Sequence, residues 1–453
     1  MSQCQECYIV VMLHPVLKKP PFASKLRQKE EHMLNRNLIQ KGRFVNQGVL
    51  IVGIDIGKKR HVAVGTSLRS GFTELYQIRN NMYSYRSFEE RIEKWKSKLE
   101  CMDVIIGFES TGHYWKPLAY YLKEKGRCIV EVSTNYTNKA KELMDNSPLK
   151  SDSKDAMVIA DLIKQGKILT PVLPEGEILA LREIIHTREN LIKERTSILN
   201  RLEKIVDVTF PERREVIKSI ICKTSLYLLK EVPFPEDIVE KGLEWLREEI
   251  RKKSMGHYKY EDAKKLYESA IDTVGLKEGR EGSKYELRTL IPRLNKLNKE
   301  IEKIESSIED RLEDIEEAKY ILSIRGIKSV TAATIIAETG GLSNYDKASS
   351  VIKVAGLNLF EISSGEYKGE KHITKRGRSL LRHKLYYAAM QHTQEGMPFY
   401  PFYRRLVEKN GVKKNKALIA LARKILRVAS ALVRDKTYYI DNYEETTDVK
   451  KVA

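Results

Sequence analysis

Between Val49 and about Lys167, unbroken apolar runs alternate with amphipathic stretches. Val49-Leu50-Ile51-Val52-Gly53-Ile54 is nearly continuous apolar sequence, as in a strand buried on both faces. Gly57-Lys58-Lys59 reads as a turn, His61 to Gly65 as an antiparallel partner strand, and Phe72 to Ile78 alternates as a third strand does. Phe88, Ile92, Trp95 and Leu99 then recur at helical spacing. Val104-Ile105-Ile106-Gly107-Phe108 predicts a fourth strand, Tyr114 to Lys125 a helix and Cys128 to Val132 a fifth strand, with two helices closing the segment.

A long helical section follows. Leu181, Ile184, Leu191, Ile198, Leu202 and Ile205 keep a heptad-like stripe interrupted by Arg188 and Arg195. Leu290, Leu294, Leu297, Ile301, Ile304 and Ile308 are spaced 4, 3, 4, 3, 4, the period of a coiled coil. Pro292 predicts that this helix begins or bends there. The two segments either pair antiparallel within the chain or dimerise between chains; Phe210 to Gly275 between them is also helical in pattern. From Tyr320, short apolar helices alternate with the turns Arg325-Gly326-Ile327-Lys328, Thr339-Gly340-Gly341 and Ala355-Gly356-Leu357, and Tyr403 to Arg434 is a basic helical end. The fold class expected is an α/β domain over 48–175 in the strand order of an RNase H-like fold, a helical coiled-coil region with an insert over 176–317, and a mostly α domain over 318–436. Residues 1–47 read as an irregular basic extension, with Met33 an alternative start, and 437–453 as a tail.

Charge narrows the partner. The 453 residues carry 81 Lys and Arg against 62 Asp and Glu, a net charge of +19, which favours a polyanion, nucleic acid above all. Five cysteines fit neither a disulfide framework nor a tetrahedral zinc site: Cys4 and Cys7 form a lone CxxC, and Cys101, Cys128 and Cys222 lie in apolar stretches. A reducing cytoplasm is the compartment expected. No membrane span is expected either, because the apolar run Tyr8 to Leu17 is short and contains His14 and Pro15.

Four carboxylates are the candidate chemistry. Asp55 ends the first buried strand and Glu109 the fourth, neighbours in an RNase H-like sheet. Asp152 and Asp155, at i and i+3, share one side of the first turn of a helix that buries Ala156, Ile159, Ala160 and Ile163. Hard oxygen ligands in this number suit Mg²⁺ or Mn²⁺, not zinc, and such ions assist phosphodiester displacement. Singly, each residue also reads as a turn, cap or helix-dipole residue. Gly53-Ile54-Asp55-Ile56-Gly57 also resembles the phosphate loop of actin-like ATPases, but the second glycine-rich loop those proteins need is missing.

Gly53-Ile54-Asp55, Gly107-Phe108-Glu109-Ser110-Thr111-Gly112 and Lys150-Ser151-Asp152-Ser153-Lys154-Asp155-Ala156 resemble the DEDD motifs of the insertion-sequence-one-ten transposases. Arg325-Gly326-Ile327, Thr331-Ala332-Ala333, Tyr345, Ala355-Gly356-Leu357, Ser364-Gly365 and Lys375-Arg376-Gly377 resemble that family's transposase-twenty domain, and Asn200-Arg201-Leu202 with Phe210-Pro211-Glu212 its longer members. The resemblance spans roughly residues 48 to 436. It implies a RuvC-like domain, a coiled coil and a compact helical domain, with Asp55, Glu109, Asp152 and Asp155 as metal ligands and Ser364, rather than Ser363, as nucleophile. It further implies that donor and target DNA are joined at sites chosen by a structured bridge RNA, in a composite centre of metal site and serine, by a homodimer or tetramer acting at the nucleoid. Thr374 stands where the family pattern has serine. The alternatives are a structure-specific, metal-dependent DNA nuclease of the junction-resolvase type with no serine nucleophile, and a non-catalytic nucleic-acid-binding protein.

Basic residues flank the serine. Lys371, His372, Lys375, Arg376, Arg378, Arg382, His383 and Lys384 follow it, and Lys409, Lys413, Lys414, Lys416, Arg423, Lys424 and Arg427 continue the surface. Gly377 is expected to let backbone approach a phosphate while arginines clamp the strand. Gly326-Ile327-Lys328 before a helix resembles a hairpin whose amides meet phosphate. Tyr400 and Tyr403 read as packing aromatics before base-stacking ones.

Overall fold

A computed structural model describes residues 48–144, 152–361, 363–364 and 367–441; the extension with Cys4 and Cys7, the link before Asp152 and the end of the tail lie outside the described residues. The chain divides into two compact units, Met1–Leu173 and Pro174–Ala453.

The first unit runs β1 (Val49–Asp55), β2 (Arg60–Thr66), β3 (Tyr76–Arg79), α1 (Met82–Lys98), β4 (Asp103–Glu109), α2 (Lys116–Glu124), β5 (Cys128–Val132), α3 (Thr134–Met144), α4 (Asp152–Lys164) and β6 (Ile168–Leu169). These strands form one mixed sheet in the order β3-β2-β1-β4-β5-β6. β1 pairs antiparallel with β2 and parallel with β4, and β4 pairs parallel with β5. Strand alternation sends Leu50, Val52 and Ile54 into a core with Phe88, Ile92 and Trp95 of α1 and Leu118 and Leu122 of α2. Val49 and Ile51 enter the opposite core with Val62, Ile105, Val130 and the α4 residues Ala156, Ile159, Ala160 and Ile163. Two covered faces account for the nearly continuous apolar character of β1.

The third strand departs from expectation. It covers Tyr76–Arg79 rather than Phe72 to Ile78. Thr73 is instead folded back on β2, its N–H donating to the Gly65 carbonyl (2.8 Å) and its Oγ1 accepting from Gly65 N–H (2.9 Å). β6, two residues antiparallel to β5, is too short to leave a periodic signal.

In the second unit, α5 (Gly176–Thr209) leads into α6 (Arg213–Val216), α7 (Lys223–Glu231), α8 (Pro235–Lys241), α9 (Leu243–Lys253) and α10 (Tyr260–Ile271), and α11 (Arg280–Glu313) returns. Leu181 and Ile185 at the start of α5 share a core with Ile308 and Leu312 at the end of α11. Ile198, Leu202 and Ile205 at the end of α5 share another with Leu287, Leu290 and Leu294 at the start of α11. The two helices therefore pair antiparallel within the chain. Ion pairs run along the seam in the same sense: Arg311–Glu177 (2.6 Å), Arg188–Glu305 (2.5 Å), Arg293–Glu194 (3.6 Å) and Arg201–Glu286 (2.7 Å). Pro292 does not begin α11; it lies inside the helix. The insert closes its own core around Phe210, Leu228, Leu246, Ile250 and Leu266.

The remainder of the unit consists of α12 (Glu316–Leu322), α13 (Ser329–Thr339), α14 (Ala348–Val354), α15 (Ser379–Gln391), α16 (Tyr400–Arg404) and α17 (Lys414–Asp435). α13 is buried from Ala332 to Thr339, its alanines and isoleucines on all sides and Thr334, Glu338 and Thr339 buried among them. Between α14 and α15 lie β7 (Leu359–Phe360), β8 (Ser363–Ser364), β9 (Tyr367–Lys368) and β10 (His372–Ile373), a feature absent from the mostly helical expectation. β7 pairs with β10 and β8 with β9, both antiparallel, so the ladders nest into a single hairpin excursion.

Candidate active site

Asp55 and Glu109 occupy the carboxyl ends of adjacent parallel strands. Pairing of β1 with β4 proceeds through Gly53↔Gly107 and Ile54↔Phe108, so Asp55 and Glu109 come next in register. Neighbouring strands lie about 4.8 Å apart. Alternation fixes which face they take. A Cβ on Gly53 would meet the Ala156 carbonyl at 2.3 Å and the Ala160 amide at 2.6 Å, and one on Gly107 would meet Ile163 Cδ1 at 2.5 Å. Gly53 and Gly107 thus face α4, and Asp55 and Glu109, two residues on, take the same face.

Both glycines have a packing purpose. At Gly53 helix backbone lies directly on strand backbone, leaving no room for any side chain. The peptide oxygen over Gly53 belongs to Ala156, the residue after Asp155, so this close approach brings the first turn of α4 to the strand end that carries Asp55. Asp55, Glu109 and Asp155 are each half-buried. Asp152 is the first residue of α4, and its side chain lies outside the described residues. Among the described residues, no three His, Cys, Asp or Glu side chains are already gathered as a metal-holding group.

Hydroxyls hold Glu109. Its Oε1 accepts from Thr111 Oγ1 at 2.5 Å and its Oε2 from Thr137 Oγ1 at 2.8 Å. Thr137, on α3, is fully buried. Glu131 of β5 accepts from Ser110 Oγ, beside Glu109 in sequence. Sequence reading passed over Thr137 and Glu131, since neither sits in a recognisable spacing. The only available signal for Thr137 was a hydroxyl on a helix just beyond the fifth strand.

Ser364 belongs to the second unit. Its backbone pairs with Tyr367 in the inner ladder of the hairpin, with Gly365 and Glu366, outside the described residues, between them. Ser363 pairs with Lys368 one step further from the tip. Ser364 is therefore the serine nearer the end of the excursion.

The basic residues separate into two groups. Lys328, Lys371, Lys375, Arg376, Lys413 and Lys414 are exposed. Arg382, by contrast, uses Nη1 to donate to the Ala355 carbonyl at 3.0 Å, and burial lowers its pKa. Lys384 is 2.6 Å from the buried Glu189. Arg423 is half-buried with its Nε unpaired, and burial followed by the nearby Arg427 charge lowers its pKa. Arg378 lies near the buried Glu338. Burial opposes ionisation of that carboxyl, but His186, 2.8 Å away, together with Arg182 and Arg378 holds it below the usual range.

Gly377 is not open to a phosphate on the face its missing side chain would occupy. A Cβ there would strike the Val354 carbonyl at 2.3 Å and the Gly356 amide at 2.6 Å. The Lys375-Arg376-Gly377 turn packs on the Gly356 turn, and Lys375 takes a left-handed φ of 53° to make it. Thr374 donates to Asn358 Oδ1 at 2.7 Å, a bond a serine hydroxyl would also make. Lys328 occupies the N-cap position of α13 without a side-chain capping bond, after the turn in which Gly326 has φ 94°. Tyr403 packs against the C-terminal core.

Two family models match the chain. A transposase model of the IS110 DEDD type covers residues 52–211, from β1 through α5, and the "Transposase IS116/IS110/IS902 family" model covers residues 318–403, including the serine hairpin. The chain belongs to the IS110 family of transposases.

Relatives agree with that assignment. The IS110-family chain is 24% identical over 393 residues to the insertion element IS116 uncharacterized 44.8 kDa protein of Streptomyces clavuligerus, covering 86% of this chain and 95% of the relative. It is 27% identical over 308 residues to the insertion element IS900 uncharacterized 42 kDa protein of Mycobacterium paratuberculosis, covering 64% and 73%. With the insertion element IS110 uncharacterized 43.6 kDa protein of Streptomyces coelicolor it shares 23% over 295 residues, covering 64% and 72%. A transposase acts on DNA, in keeping with the net charge of +19. No helix among the described residues is long and apolar enough to cross a membrane.

Proposed function

We propose that this transposase joins donor and target DNA through Ser364, with Asp55, Glu109, Asp152 and Asp155 holding Mg²⁺ or Mn²⁺. The observation that carries the metal site is the register of β1 and β4, which puts two carboxylates side by side on the face that α4 approaches through Gly53. An all-oxygen donor set fits a hard divalent cation. A bound ion would supply Lewis acidity to a phosphodiester oxygen. The strand order, with an antiparallel three-strand meander leading into parallel strands, supports an RNase H-like assignment for this unit.

In the exchange, Ser364 Oγ bonds to phosphorus as a bond from phosphorus to a sugar oxygen breaks. The proton lost by the serine is matched by the one the leaving hydroxyl gains. Attack by a sugar hydroxyl on the phosphoserine reverses the balance, restores the phosphodiester and frees the serine. No bond energy is lost to water. A serine hydroxyl is a weak nucleophile near neutral pH and needs activation, so carboxylate site and serine act together on DNA. The exposed Lys371, Lys375, Arg376, Lys413 and Lys414 contact phosphates. A structured bridge RNA selects the sites, and the active form is a dimer or tetramer.

The test is recombination between donor and target plasmids in cells, with the element's flanking non-coding DNA supplied. Asp55→Ala and Ser364→Ala should each abolish joining, and wild type should trap as a serine-linked DNA adduct. Joining by Ser364→Ala would remove the serine from the mechanism and favour a metal-dependent nuclease. Joining without the flanking DNA would remove the RNA.

A further inference from the structure

We infer that Thr137 and Thr111 are positioning residues that orient the Glu109 carboxylate for a divalent cation. This rests on the reading of Asp55, Glu109, Asp152 and Asp155 as a metal site. A carboxylate at a strand end rotates about its side-chain torsions unless something fixes it, and a cation site needs its ligands fixed beforehand. Here a hydroxyl reaches each oxygen: Thr111 Oγ1 to Oε1 at 2.5 Å and Thr137 Oγ1 to Oε2 at 2.8 Å. The two come from different elements, one from the loop after β4 and the other from α3, so they clamp the group from both sides.

Thr137 carries the larger share. It is fully buried, and its hydroxyl also lies 3.0 Å from the Thr134 carbonyl. A hydroxyl has one proton to donate. With Glu109 ionised, that proton goes to the carboxylate, where the bond is charge-assisted and stronger than one to a neutral carbonyl. The bond therefore fixes where Oε2 points. An ordinary helical threonine bonds back to the turn before it, which Thr137 can do as well. What sets it apart is the shorter bond to the Glu109 carboxylate.

Mn²⁺ titration of the full chain by calorimetry tests this. Thr137→Val keeps the shape and removes the hydroxyl, and it should weaken Mn²⁺ binding about 10- to 100-fold. Thr137→Ser should return binding to within about threefold of wild type, which a purely steric role would not predict. Thr111→Ala, at an exposed position, should give a smaller loss in the same direction. In strand joining, the Mn²⁺ concentration for half-maximal rate should rise in step with the binding loss. Wild-type Mn²⁺ affinity in Thr137→Val overturns the inference. Should Thr137→Val fail to fold, Thr111→Ala decides alone, and unchanged affinity there overturns the clamp. Glu109→Gln separates the two levels: unchanged Mn²⁺ binding in that variant would overturn the metal site itself.

Discussion

Gly53→Ala is a single methyl aimed at the close approach of α4 to β1, on which the proposed metal site depends. The new Cβ would lie 2.3 Å from the Ala156 carbonyl oxygen and 2.6 Å from the Ala160 amide. An ordinary carbon–oxygen contact is about 3.4 Å, so α4 must move off β1 by about 1 Å. Backbone atoms cannot rotate aside as a side chain does, and overpacking of this kind costs about 1–3 kcal/mol. The displaced helix carries Asp152 and Asp155 at its first turn. A shift of about 1 Å in reacting groups lowers rate by about 100-fold. Denaturant melts and strand-joining rates, measured at a temperature where the variant stays folded, should show both losses. Gly71→Ala is the control, since nothing lies within 4 Å of its added Cβ, and it should stay within about 0.5 kcal/mol of wild type. Gly107→Ala should fall between, because its closest contact, 2.5 Å from Ile163 Cδ1, is the movable end of a side chain. Equal stability and rate for Gly53→Ala and Gly71→Ala would refute the close-approach account.

Other variants probe the second unit. Buried His392 has neither ring nitrogen hydrogen-bonded, and burial first, then the Arg325 charge, depresses its pKa from 6.5 to about 4. Between these values the unfolded chain binds the proton and the native chain does not, so stability falls as pH drops from 6.5 toward 4, by about 2 kcal/mol after screening; His392→Leu should flatten that slope in acid melts, and an unchanged slope would exclude His392 as its source. Leu202→Ala, at a fully buried seam position, should cost about 2–5 kcal/mol in denaturant melts, whereas a loss under about 1 kcal/mol would argue against the α5–α11 seam. Lys328→Ala should weaken DNA binding evenly across sequences and lower the salt slope by about 1 without changing melting. Arg382→Ala should lower melting as well, because it strips the Ala355 carbonyl of its partner; unchanged melting would return Arg382 to the purely DNA-facing group.

The sequence by itself determined what depends on local pattern. Apolar runs marked β1, β4 and β5 because strands covered on both faces cannot alternate, and the 4-3 spacing from Leu290 marked α11 because its period is that of a helix seam. Asp55 and Glu109 were legible because each directly ends such a run. Contacts across the chain were decided only by the tertiary structure. Whether α5 and α11 pair within one chain turns on which ends share a core, and spacing along one helix carries no such information. Only the fold laid Val354 and Gly356 against the side-chain face of Gly377, and Arg382 looked like a free cation until it reached Ala355. Two-residue strands such as those around Ser364 are held by pairing with their opposite strand, so they leave no periodicity to read. Thr137 shows the limit most directly. A threonine on a helix is unremarkable in sequence, and only folding brings its hydroxyl 2.8 Å from the Glu109 carboxylate.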